Sequence, residues 1–130
     1  MSTPIRDLSS DFVVLGPDQA ATAMPVSPSL YEELDTRFNS FKDHWLVAVH
    51  SFDADWPSWE VHPAGDEIVV LLSGEVTLVL NNNGGDQAIE LNMPGSYVIV
   101  PRDTWHTARI GAPGRMLFIT PGEGTENRVL

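Results

Sequence analysis

A chain of 130 residues suits a single domain, and 42% apolar against 19% charged residues place it among globular rather than disordered sequences. Eighteen acidic against seven basic residues give a net charge of −11, which repels phosphate backbones and anionic headgroups and excludes nucleic acid and membrane surfaces as expected partners. The absence of cysteine removes disulfides, thiolate zinc sites and thiol nucleophiles.

In chain order, the first fifteen residues are polar and mixed in charge, with no basic region leading into an apolar run. No stretch of about 18 apolar residues follows anywhere, so a cytoplasmic protein is expected. Residues 12–15 and 21–26 are short β-rich runs stopped by Gly16-Pro17-Asp18 and Ser27-Pro28, which suits edge strands. Ser29 to Glu32 has the spacing of a capping box, and Leu30, Tyr31, Leu34 and Phe38 recur at helical intervals, predicting one amphipathic helix over 30–38 that covers a barrel end.

From His44 the pattern changes to short strands at 45–52, 59–62, 67–72, 75–80, 88–91, 97–100, 105–110 and 116–120, divided by Gly-, Pro- and Asn-rich turns. Eight short strands at even spacing, each with an apolar face to cover, indicate an all-β jelly-roll barrel. Residues 1–43 then pack on the barrel as strands and a short helix, 44–121 form the barrel, and 122–130 are an irregular tail.

Two-residue spacing puts Glu60 and His62 on one face of a strand, with Trp59 and Val61 on the other. Pro63-Ala64-Gly65-Asp66 bends the chain before Glu67, which shares a face with Val69 and Leu71. His106, flanked on its own face by Thr104 and Ala108, can arrive from a strand across the barrel.

The stretch Glu60-Val61-His62-Pro63-Ala64-Gly65-Asp66-Glu67, followed by six residues and Gly74, resembles the first cupin motif. Gly95, Pro101 and His106 at intervals of six and five resemble the second, so residues 44–121 are similar to a small single-domain, RmlC-like cupin with a double-stranded β-helix. The resemblance implies a divalent transition metal (Fe, Mn, Ni or Zn) at Glu60, His62, Glu67 and His106. Glu60 stands where the family usually has histidine: as a ligand it makes a 2-His-2-carboxylate set, and as a free general base it leaves a 2-His-1-carboxylate triad with open positions. A second departure is Asp103 in place of glycine, which tolerates the left-handed conformation better than most residues.

A small-molecule ligand or substrate is implied, as is a metal-dependent enzyme such as a dioxygenase or isomerase; a non-catalytic small-ligand-binding or metal-sensing cupin is the alternative. Cupins commonly pair through N-terminal or edge strands, so a homodimer is expected. Asp66 is expected to bond backbone rather than metal, and Trp56, Trp59 and Trp105 to pack rather than stack on substrate. His44 and His50, which match no motif position, are expected to be structural or exposed.

Overall fold

In the computed structural model, which describes residues 3–130, two sheets face each other and share two long strands. Met1 and Ser2, the start of the segment read as polar and mixed in charge, lie outside the described residues. One sheet runs β2 (Ala21–Pro25), β1 (Asp11–Leu15), β3 (Trp45–Phe52), β8 (Trp105–Thr120), β5 (Glu67–Asn82) and β7 (Tyr97–Val100). The other runs β9 (Glu126–Val129), β4 (Ser58–Val61), β8, β5 and β6 (Gly85–Leu91). All pairings are antiparallel, so alternating side chains enter the space between the sheets. Among the described residues no helix is long and apolar enough to cross a membrane.

The segments 67–72 and 75–80, expected as separate strands, are one strand of 16 residues, and so are 105–110 and 116–120. Their Gly-containing interruptions are bulges: register shifts fall between Leu71 and Val76, where β5 and β8 bend together from one sheet into the other. At that bend Gly74 has φ +85°, and a side chain there would meet the carbonyl oxygens of Pro113 at 2.6 Å and Ala112 at 2.7 Å. Only glycine fits both the conformation and the approach.

Between the sheets lies the larger core, in which Leu71, Leu78 and Met116 have no exposure. Each such side chain contributes about 2 kcal/mol from burial. A second cluster joins Phe12, Val14 and Met24 to Leu30, Leu34, Phe41, Leu46 and Ala48, and so fastens the N-terminal strands and the helix α1 (Leu30–Arg37) to one end of the barrel. The expected capping box does not form: Ser29 makes no side-chain bond to the helix, and its hydroxyl lies 3.3 Å from that of Ser27. Packing of Leu30 and Leu34 therefore holds α1 in place. The tail is not irregular, because β9 pairs with β4 over Ser58–Val61.

Candidate metal centre

The two motif loops are stitched together before their side chains meet. Asp66 Oδ1 accepts from the backbone N–H of Arg102 at 2.8 Å, and the Asp103 N–H donates to the His62 carbonyl at 3.2 Å. Asp66 thus bonds backbone as expected, though across loops rather than within its own turn. Asp103 has φ +60°, the left-handed conformation its position demands.

Glu60 and His106 are cross-strand partners on β4 and β8, which brings the two halves of the chain's motif residues into register. His62 (4% exposed), Glu67 (3%) and His106 (0%) are all buried, and their ligand atoms lie within 4.8 Å of one another. His106 Nε2 is 3.1 Å from Glu67 Oε1, and His62 Nε2 is 3.2 Å from Glu67 Oε2. Glu60 stands to one side, its Oε1 3.4 Å from His62 Nε2 and its side chain 31% exposed. Among the described residues it forms no ion pair with Arg102 or Arg109.

Hydrogen bonds on the far side of each ring fix what these atoms can do. His106 Nδ1 lies 3.0 Å from the Thr104 carbonyl, an acceptor only, so that nitrogen carries the proton. Thr125 Oγ1 donates to the Gly122 carbonyl at 3.0 Å and must accept from His62 Nδ1 at 2.8 Å. In the neutral rings both Nε2 atoms are therefore lone pairs, and both face a carboxylate. Thr120 Oγ1 donates to Glu67 Oε2 at 2.6 Å, whereas Glu67 Oε1, His62 Nε2 and His106 Nε2 are buried without a hydrogen-bond partner. Three converging acceptors in a buried site require a cation among them, either a proton or a metal ion. Two imidazoles and a carboxylate, each oriented from behind, fit a divalent transition metal.

Replacing Thr125 with valine keeps the shape and removes the group that orients His62, so divalent-ion affinity is expected to fall about 10- to 100-fold with the fold retained. Competition against a chelating dye measures it. Unchanged affinity would mean that His62 needs no such support.

Without a bound ion the cation is a proton. Burial alone would lower His106, but the Glu67 carboxylate outweighs it and raises the imidazole above its ordinary 6.5. Burial alone would raise Glu67, but His106 and His62 hold it at about 2. Burial also raises Glu60, reinforced by the charge of Glu67 and opposed by His62 and His106. His106 therefore stabilises the metal-free fold fully below 6.5 and loses that contribution as pH rises through its folded value; Glu67 stabilises fully above 4.5 and loses it as pH falls toward 2. Metal-free protein should be most stable between those limits. Ion binding must displace the proton, so the rise in melting temperature on adding a divalent ion should grow from pH 6 to pH 8. A shift independent of pH would contradict proton displacement.

A cavity of about 670 Å³ opens on the Glu60 side of this cluster. Tyr31, Leu34 and Asp35 of α1 line one side of it, so the helix does cover a barrel end. Phe52, Trp56 and Phe118 form an aromatic wall, with ring centroids 5.5 to 6.1 Å apart. Trp56 thus lines the cavity rather than only packing outside it. Trp59 and Trp105 are not part of the lining, and the Arg128 guanidinium lies 4.6 Å from the Trp105 ring centroid. His50, expected to be structural or exposed, sits within β3 on the cavity-lining face with Leu46, Ala48 and Phe52. Burial lowers its imidazole.

An open antiparallel barrel with a buried His-Glu-His cluster at one mouth defines the class. The fold is that of the cupins. A cupin-2 domain protein of Shewanella frigidimarina superposes with TM-score 0.51 at 17% identity over 59% of this chain and 70% of that one. Two oxalate oxidase structures superpose with TM-scores of 0.51 and 0.52 at 16% and 15% identity, covering 63% and 64% of this chain but 44% of theirs. At such identities the likeness is one of fold. No protein-family model and no curated protein sequence matches the chain.

Proposed function

We propose that this cupin barrel is a metal-dependent enzyme of a small-molecule substrate, with one divalent ion (Fe, Mn, Ni or Zn) held by His62, Glu67 and His106. The observation that carries this reading is the convergence of three buried acceptor atoms with no partner among them. A bound ion would supply Lewis acidity toward an oxygen of the ligand. Thr125, Thr104 and Thr120 keep the donor atoms aimed. The aromatic wall gives one side of the cavity an apolar surface, and Glu60, raised by burial, lines the same cavity and is the group proposed to take a proton from a bound ligand. Glu60 is thus the base of the reaction and not a ligand required for metal retention.

Reconstitution with each of the four ions, followed by a turnover screen over oxygen-consuming, isomerising and decarboxylating reactions, tests the reading. Glu60→Gln should keep most of the metal and lose turnover. Loss of the metal in that variant would make Glu60 a ligand, and metallated protein inert throughout the screen would overturn the enzyme.

The homodimer is proposed to form through a sheet face rather than by exchange of N-terminal strands. β1 and β2 already pair with each other within the chain. On the outer face, Val13, Val47, Ile119, Ile68 and Ile99 form one cross-strand row over five strands, and Val49, Leu117, Val70 and Tyr97 form the next. Tyr97 is 62% and Ile99 53% exposed. An uncharged apolar strip on a chain of charge −11 is where two copies can meet without repulsion. Light scattering should give a dimer that Ile119→Lys converts to monomer; a monomeric parent protein refutes the pairing.

A further inference from the structure

The charge of the cavity is one-sided. Asp35, Glu60 and Glu67 line it, and among the described residues no lysine or arginine does. His50 brings no compensating charge at neutral pH, because burial lowers its imidazole. The charge of a divalent ion held by His62, Glu67 and His106 would be offset by Glu67 and by the neighbouring Glu60, leaving Asp35 as surplus negative charge near the opening. A carboxylate ligand entering this space would meet like charge with no lysine or arginine to receive it, a repulsion least screened beside the half-buried Glu60 and weaker at the exposed Asp35. The remaining lining is largely apolar, with Phe52, Trp56 and Phe118 presenting rings along one wall and Ser58, Thr120, Thr125 and Asn127 adding uncharged polar groups. A volume of about 670 Å³ accommodates a ring system with substituents.

We propose that the cavity selects an uncharged, planar aromatic molecule over carboxylate anions, the ligand lying against the Phe52–Trp56–Phe118 wall and turning one oxygen toward the His-Glu-His cluster. The selection deepens the enzyme reading above and rests on it for the role of that oxygen. The charge preference belongs to the lining itself.

Benzamide and benzoate share ring and size and differ in charge, so they isolate the effect. Calorimetric titration of Mn(II)-loaded protein should show benzamide binding at least about tenfold more tightly than benzoate, with oxalate weaker still. Metal content is measured on the same preparation. Should the protein take up none of Fe(II), Mn(II), Ni(II) or Zn(II), the enzyme reading fails, while the preference for benzamide should persist in metal-free protein because Asp35 and Glu60 remain. Asp35→Lys, at an exposed helix position outside the His-Glu-His cluster, should raise benzoate affinity several-fold and leave benzamide nearly unchanged. Benzoate or oxalate binding as tightly as benzamide overturns the proposal, and so does failure of both aromatic probes to bind.

Discussion

His106→Ala is expected to abolish stoichiometric metal binding. His106 has no exposure, its ring is held from behind by the Thr104 carbonyl, and it supplies one of three converging donors. Loss of a supporting hydrogen bond alone costs metal sites about 10- to 100-fold, so loss of the donor itself should exceed about 100-fold in affinity. The same change removes the cation that faces Glu67, leaving that carboxylate with His62 and the Thr120 hydroxyl. Metal-free protein should therefore also lose about 3 kcal/mol of stability at pH 6, the cost of stripping one partner from a buried pair. Dye competition gives the affinity, and denaturant melts give the stability. A variant that unfolds outright is replaced by His106→Gln, which keeps volume and polarity; retention of full affinity in either would remove His106 from the site.

The largest effect on the fold itself is expected from Gly114→Ala. A methyl group at that position would collide with the Ser73 carbonyl and approach the Gly74 Cα to 2.7 Å, where β5 and β8 bend together. Neither backbone can retreat, since each strand is bonded along most of its length. A loss of about 3–5 kcal/mol is expected, larger than ordinary overpacking because the obstacle is main chain. Gly84→Ala is the control: nothing lies within 4 Å of a side chain there, and it should be nearly neutral. Equal midpoints for the two variants in urea would show that the bend tolerates bulk.

The barrel and its site were legible wherever alternation or spacing carried the information. Glu60 and His62 do share a face, as do Glu67, Val69 and Leu71, because a strand places every second residue together. Glycines at 74, 111 and 114 looked like breaks between strands, since a bulge and a turn use the same residues. β9 escaped because all four of its residues are exposed, which leaves no apolar period to detect. Its approach nevertheless brings Thr125 to His62. His50 was missed as a cavity residue because the bounds 45–52 were right but its face was not followed: Leu46, Ala48, His50 and Phe52 alternate inward together. Thr120 and Thr125 had no signal of their own, as a threonine that orients a ligand looks in sequence like any other.

Element-specific metal analysis of protein purified without a chelating tag, before and after reconstitution, tests the central claim most directly. Close to one equivalent of a single divalent transition metal is expected in the parent protein, falling below about a tenth in both His62→Ala and His106→Ala. Less than about a tenth of an equivalent in the reconstituted parent protein would contradict it.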